Sequence, residues 1–395
     1  MNPAPRRVAI VGASAAGLAV ATGLRDEGFD GEIVLVGAED ALPYDRPPLS
    51  KKGFTGQLDS VALTDTAELA ELQLDLRLGA TARALDPARK TLTLEYGEEI
   101  PFDACALATG ATPIRLPGPG QVLRSFEDAL AIDRALERAS KVIVIGAGVL
   151  GCELAALARE KRADALVVDL LDGPMLDKLG PAVSGRLEAL HREKGVAFRL
   201  GTGVAEIAGD AQGGYRVVLD DGSAQDCDLV LVAVGCRPVV DWLEGSGVPL
   251  ANGVRCDVYC EALPGIYAAG DVASWPSPRY GRRLRIEHRM NATEQGMAVA
   301  ANILGAREAF DLIPFFWTDQ YDAKIQVFGV IDGSLDSDIL TENSENGGFV
   351  TSYSRNGRVE GVLGWNMARS LRKARALIGK ERSAALQDFV ELQGA

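Results

Sequence analysis

The chain has 395 residues, 47% of them hydrophobic and 24% charged, with a formal net charge of -14 at pH 7. That apolar content suffices for about two to three domains of ~150 residues each and excludes a disordered chain. The acidic balance argues against nucleic-acid or anionic-lipid partners, and no apolar run approaches the ~18 residues needed to span a bilayer, so a cytoplasmic globular protein is expected.

The stretch Met1–Arg7 has the charge of a signal n-region, but only Val8–Val11 follows it before a glycine turn, too few apolar residues for an h-region. Alternation from Arg7 to Val11 predicts a strand, Gly12-Ala13-Ser14-Ala15-Ala16-Gly17 a tight turn, Leu18–Arg25 a helix and Ile33–Val36 a second strand. Thr91–Leu94 predicts a half-exposed strand, and Cys105–Ala108 a buried one ending in Thr109-Gly110-Ala111. The first unit then recurs. Lys141–Ile145 leads into Gly146-Ala147-Gly148-Val149-Leu150-Gly151, a helix over Glu153–Lys161 and a returning strand Ala165–Asp169. Leu229–Gly235 repeats the buried-strand ending. The two glycine turns, 134 residues apart, therefore predict two copies of one nucleotide-binding fold.

The Pro/Gly-rich stretch Pro113–Gly120 reads as the crossing into an inserted domain, Arg237-Pro238 as the crossing back, and Ile266–Asp271 as the first domain resumed. After Ile313-Pro314 come the short strand signals Ile325–Phe328, Phe349–Thr351 and Val359–Leu363. A closing helix over Met367–Ile378 would turn Leu371, Ala374 and Ile378 inward. The expected fold is α/β, with a first domain of residues 1–112 and 239–313, an inserted domain of 113–238 and a C-terminal α+β domain of 314–395.

A strand-to-helix glycine turn lets backbone amides approach a pyrophosphate, and the helix start adds partial positive charge. The first copy has Ser14 at its middle position, whereas the second has all three glycines. An acid at the end of the following strand accepts hydrogen bonds from the adenosine ribose and repels a 2′-phosphate. Glu39 lies 22 residues after Gly17 and Asp169 lies 18 after Gly151. Two dinucleotides are thus expected, one delivering a hydride and the other receiving it, as in an electron-transfer flavoenzyme. Asp169 favours NADH over NADPH, while Arg159, Lys161 and Arg162 are near enough in sequence to soften the preference. The cysteines, Cys105, Cys152, Cys227, Cys236, Cys256 and Cys260, lack paired zinc-site spacing and are expected as small buried residues. Cys256 and Cys260 are spaced C-x3-C, but two histidines in the whole chain leave little to complete a metal site.

Several further segments stand in a characteristic order: Tyr44-Asp45-Arg46-Pro47-Pro48-Leu49-Ser50-Lys51, Ala108-Thr109-Gly110, Leu123-Arg124 before Glu127-Asp128-Ala129, Ala269-Gly270-Asp271, Arg285-Ile286-Glu287 and Phe316-Trp317-Thr318-Asp319-Gln320-Tyr321. From about Arg7 to the final helix the chain resembles the FAD-dependent ferredoxin reductases that serve bacterial oxygenases and cytochromes P450, the family of putidaredoxin reductase, rubredoxin reductase and the reductase components of Rieske dioxygenases. The resemblance implies a glutathione-reductase-like fold, with two Rossmann-like domains for FAD and NAD(P)H and a C-terminal domain beside the flavin. Implied FAD positions in the first glycine turn and the acid after it are Gly12, Ser14, Ala15, Ala16, Gly17 and Glu39. Arg46, Lys51, the backbone at Ala82, Thr109, Gly110 and Arg124 follow, then Gly270, Asp271, Glu287, His288 and Arg289. Implied NAD positions are Gly146, Gly148, Val149, Leu150, Gly151, Asp169 and Gly235. Several relatives carry an acid where Ala38 stands, so Glu39 must reach the ribose from one position later.

By the same resemblance Lys51 lies close to flavin N5 and Glu153 is the acid near the nicotinamide, together the catalytic pair. Many relatives have Trp or Val where Arg289 stands, leaving open whether it tunes the flavin, contacts the nicotinamide or docks a partner. No cysteine occurs from Met1 to Asp103, so electrons are expected to leave without a thiol relay, singly, to a [2Fe-2S] ferredoxin. Such ferredoxins are usually acidic, and a locally basic docking face is expected from Arg279, Arg282, Arg283, Arg285 and Arg289 together with Arg369, Arg372, Lys373, Arg375 and Lys380, with Trp317 near the same rim. Alternatives are a rubredoxin reductase or NADH oxidase, and a redox-sensing interaction protein like apoptosis-inducing factor. A monomer or weak homodimer is expected.

Overall fold

The structure, a computed structural model, describes residues 5–51, 53–209, 213–345 and 347–394; Met1–Ala4, the start of the N-terminal stretch read above, lie outside them. By packing, the chain forms two compact units, Met1–Asp45 with Leu58–Thr112 and Arg237–Pro314, and Arg46–Gln57 with Pro113–Cys236 and Phe315–Ala395. The expected inserted and C-terminal domains fall in one of these units, along with the short segment 46–57.

The first unit is built on a six-stranded sheet. In spatial order its strands are Glu261–Leu263, Ile266–Ala268, Ala104–Leu107, Arg7–Val11, Glu32–Val36 and Leu74–Arg77, parallel except at the Glu261–Leu263 edge. Val8, Ala9, Ile10, Ile33, Leu35, Ala106 and Leu107 are all fully buried, as continuous apolar runs in a doubly covered parallel sheet should be. The helix Ala15–Asp26 follows the first strand and packs against Arg289–Ile303. Small residues make the crossing close: a Cβ on Gly296 would meet Ala16 O at 2.6 Å, and one on Gly23 would meet the Ala300 Cβ at 2.8 Å.

The second unit contains a four-stranded parallel sheet in the order Ala197–Arg199, Asp164–Val168, Lys141–Ile145 and Leu229–Val232, with the helix Val149–Glu160 between its central strands in sequence. A five-stranded antiparallel sheet follows, ordered Phe315–Gln320, Ala323–Gly329, Arg358–Trp365, Gly348–Arg355 and Asp336–Asn343. One apolar cluster joins the two parts: Cys152, Val183 and Leu187 from helices pack with Ile325, Val327, Phe349 and Leu363 from the antiparallel sheet.

The closing helix differs from expectation. It spans only Ala368–Ala374, tightens into a 3-10 turn over Arg375–Leu377, and is followed by a further helix, Arg382–Gly394. The tighter turn advances the third inward position from Ile378 to Leu377, which is fully buried beside Leu371 and Ala374.

Candidate functional site

In the first unit the strand Arg7–Val11 delivers the chain into a turn that only glycine tolerates. Gly12 has φ 119°, and a Cβ there would lie 2.1 Å from Ala108 O; a Cβ on Gly17 would lie 1.9 Å from Gly12 O. These two glycines let strand, turn and helix close on one another. Ser14 is the N-cap of the helix Ala15–Asp26, yet its side chain makes no capping bond, so the first-turn amides at Ala15, Ala16 and Gly17 are not met by it. A pyrophosphate fits such a helix start. Glu39, half-buried after the second strand, accepts a hydrogen bond from Tyr44 Oη at 2.5 Å.

Other expected residues of this unit gather by packing. Gly270, at φ 76°, brings its turn against the start of the first helix: a Cβ there would sit 2.9 Å from the Ala16 Cβ. Its N–H donates to Gln295 Oε1, and the carbonyl of half-buried Asp271 accepts from Arg285. Thr109 Oγ1 donates to Val239 O at 2.8 Å, Gly110 follows at φ 70°, and Ala82 opens the strand Ala82–Asp86. Glu287 pairs with Arg285 at 2.6 Å, and His288 is the N-cap of the helix Arg289–Ile303. Arg289 is bound to Asp45 at 2.5 Å and donates to the Thr293 hydroxyl, so its guanidinium is largely committed within the fold.

The second glycine turn repeats the construction. Gly146 has φ 103° with a Cβ clash at 2.4 Å against Ala233 O, and Gly151 would clash at 1.8 Å with Gly146 O. Gly148, the N-cap of the helix Val149–Glu160, is different: a Cβ there would meet nothing within 4 Å. Open space above an uncapped helix start, at Val149 and Leu150, is what an approaching phosphate needs. Gly235, at φ 104°, ends the Leu229–Gly235 stretch. Asp169 reaches back to this turn, accepting from Ala147 N–H through Oδ2 and from Leu171 N–H through Oδ1. The cations expected to soften its preference are placed otherwise. Arg159 binds Asp164 and two carbonyls and Lys161 binds Asp133, at the far end of a helix about 18 Å long, because Arg159 stands in its last turn and Lys161 at its C-cap.

Within the same unit, Glu153 lies on the second turn of that helix at 6% exposure. Lys51 Nζ is 2.6 Å from its Oε1, Thr318 Oγ1 is also 2.6 Å from Oε1, and Ser50 Oγ donates to Oε2. Ser50 is held by the 3-10 turn Pro47–Ser50, whose prolines start the turn without needing amide partners. Three donors and the nearby helix N-terminus satisfy a carboxylate that burial would otherwise penalise. Arg46, just before this turn, donates to Arg124 O at 2.6 Å.

All six cysteines are free thiols and all but Cys236 are buried. Burial raises Cys105 and Cys260 to about 12, so neither forms a ready thiolate. Among the described residues no cluster of His, Cys, Asp or Glu is arranged to hold a metal, and no helix is long and apolar enough to cross a membrane. Much of the expected basic face is already engaged: Arg279 pairs with Asp311, Arg283 donates to the carbonyls of Cys256 and Ser274, Lys373 to Leu392 O, and Lys380 pairs with Asp388. Arg282 lies over the Tyr280 ring and Arg375 over Phe328, whereas Arg369 and Arg372 are exposed. Trp317 stacks near Phe315 at 6.0 Å.

Sequence reasoning assigned no role to Ser50 or Thr318 and passed over the buried His191 that stands behind them. The signal for Thr318 was its place two residues before Gln320, which on a strand puts both on one face.

Residues 6–296 match the pyridine nucleotide-disulphide oxidoreductase family and residues 315–393 the reductase C-terminal family. Rhodocoxin reductase of Rhodococcus erythropolis is 33% identical over 383 residues, covering 95% of this chain and 90% of that protein. The ferredoxin–NAD(+) reductase component of the p-cumate 2,3-dioxygenase system of Pseudomonas putida is 34% identical over 331 residues, covering 82% and 81%. The crystal structure of the covalent putidaredoxin reductase–putidaredoxin complex superposes with a TM-score of 0.90 at 30% identity, covering 99% of this chain and 100% of that one.

Proposed function

Because the chain belongs to the pyridine nucleotide-disulphide oxidoreductase family and ends in a reductase C-terminal domain, we propose that it is an FAD-dependent NADH:ferredoxin reductase. It takes hydride from NADH and passes electrons singly to a [2Fe-2S] ferredoxin that supplies a cytochrome P450 or Rieske oxygenase. In this reading residues 1–112 with 239–313 hold FAD, residues 113–238 hold NADH, and residues 314–395 form the C-terminal α+β domain. Bound FAD supplies the chemistry, accepting two electrons together and releasing them one at a time.

The protein's residues bind and orient. The amides after Gly12 and Gly146 receive the two pyrophosphates, and Glu39 and Asp169 accept from ribose hydroxyls. Lys51 and Glu153 keep a fixed charge pair at the hydride site, and Ser50 holds one carboxylate oxygen. The observation that carries the reading is this ion pair between Lys51, at the end of the Pro47–Ser50 turn, and Glu153 on the helix Val149–Glu160. A lysine, hydrogen-bonded to Glu153, stands on the segment where a disulphide-type enzyme would present its thiol. Similarity over 82% of the chain to the ferredoxin–NAD(+) reductase component of a dioxygenase system supports the acceptor. The exposed Arg369 and Arg372 are the proposed contacts for an acidic ferredoxin.

The test is anaerobic reduction of the purified yellow protein by NADH, followed by stopped-flow reoxidation with [2Fe-2S] ferredoxins. Rapid single-electron reoxidation is expected. Reoxidation by dioxygen or rubredoxin alone would refute the assignment.

A further inference from the structure

Thr318 and Gln320 are both fully buried on one face of the strand Phe315–Gln320, and His191 is fully buried near the end of the helix Leu176–Glu193. Together they extend the Glu153 site inward. Thr318 Oγ1 lies 2.6 Å from Glu153 Oε1, Gln320 Nε2 lies 3.2 Å from Thr318 Oγ1, and His191 Nε2 lies 2.6 Å from Gln320 Oε1.

The direction of each bond follows from the chemistry of its ends. The Glu153 carboxylate only accepts, so the threonine hydroxyl spends its single proton there and accepts from the glutamine amide. The amide oxygen then requires the proton on His191 Nε2. The other ring nitrogen, Nδ1, is buried without a partner, which suits a bare lone pair better than an N–H. Burial lowers the basicity of the ring below its ordinary value, against the opposing bond to Gln320, and keeps it neutral. Every donor therefore points the same way, from the imidazole toward the carboxylate, and each bond polarises the next.

We propose that Thr318, backed by Gln320 and His191, is a positioning residue for the hydride site, clamping the Glu153 carboxylate in the orientation that holds the Lys51 ammonium. The proposal rests on the reading of Lys51 and Glu153 given above. The terminal torsion of a glutamate is broad, so a carboxylate held at one oxygen can turn and carry its lysine with it. Ser50 on Oε2 and Thr318 on Oε1 tie both oxygens. The C-terminal domain thereby serves the hydride step through a fully buried side chain that acts on Glu153.

The test uses the flavin-loaded full chain, the isosteric Thr318→Val variant and the conservative Thr318→Ser. One readout is the limiting rate of flavin reduction at saturating NADH. The other, independent of turnover, is the rate at which Lys51 is acylated by an amine-specific reagent, read by mass spectrometry. Thr318→Val is expected to lower the limiting rate roughly tenfold, as loss of one charge-assisted hydrogen bond implies. NADH affinity and flavin content should hold while Lys51 labels faster, and Thr318→Ser should restore both readouts. Should Thr318→Val lose its flavin, Gln320→Leu carries the same measurements, with smaller changes in the same direction. Native behaviour in both readouts, or failure of Thr318→Ser to restore them, overturns the proposal. If the native protein is not reduced by NADH at all, the hydride-site reading fails instead, and the labelling contrast still decides whether Thr318 clamps the pair.

Discussion

Replacing Glu153 by glutamine keeps the shape of the side chain and removes its charge, leaving the Lys51 ammonium opposite a neutral amide. Neutralising one partner of a buried ion pair costs about 3–5 kcal/mol when the remaining charge has no access to water. The Lys51 side chain keeps 18% of its exposure, so solvent relieves part of the penalty and about 2–3 kcal/mol is expected. For a folding unit of about 200 residues, that corresponds to a fall in Tm of roughly 5–10 °C. Lys51→Met removes the other charge and leaves Glu153 with the hydroxyls of Ser50 and Thr318, a smaller loss. The double variant lacks both charges, so its cost should fall short of the summed single costs by about 1–2 kcal/mol. Urea and thermal unfolding of the flavin-loaded proteins, measured in excess FAD so that ligand loss does not enter, gives all four corners of the cycle. Strict additivity would refute the coupling of Lys51 to Glu153 on which the proposed site depends.

Gly148→Ala should fold normally and bind NADH more weakly, since its Cβ enters open space, whereas Gly151→Ala should impair folding by its clash with Gly146 O; equal melting temperatures for the two would contradict this division. Asp169→Ala should lower the preference for NADH over NADPH by about tenfold through loss of a charged acceptor, read as the ratio of kcat/KM values, and unchanged discrimination would remove the assignment. Charge reversal at Arg369 and Arg372 should weaken ferredoxin turnover without slowing flavin reduction, and the native turnover should fall with salt; a salt-independent, unaltered rate would reject that docking face. Burial lowers the folded-state basicity of His191 below its ordinary 6.5, so the unfolded chain binds the proton more readily. Its contribution to stability is complete above that value and is lost as the pH falls below it. His191→Phe should flatten this part of the stability–pH curve, and an identical slope in both proteins would count against a neutral buried ring.

Local chemistry explains how much was legible. The strands Arg7–Val11 and Lys141–Ile145 occur at the residues their apolar runs predicted, and both glycine turns close as their spacing requires. Strand period, turn conformation and helix start are all set within a few residues of chain. The basic face was read less well, because counting arginines near one another says nothing of their acids: Arg279 finds Asp311 and Arg289 finds Asp45, 244 positions away. The missed helix Leu176–Glu193 is interrupted by Gly180 and Pro181, which obscure its period and with it the placement of His191.

The amino-acid order alone determined that two dinucleotide folds lie in one chain, and that Lys51 and Glu153 are candidates for the chemistry. The family resemblance already paired these two, and the folded structure brings them to 2.6 Å across 102 positions; only the structure decided that Thr318, 165 positions beyond Glu153, completes the group. Periodicity specifies which face a residue presents, a property of its neighbours along the chain. Which side chain waits on the other side depends on how distant segments pack, and no local pattern encodes it.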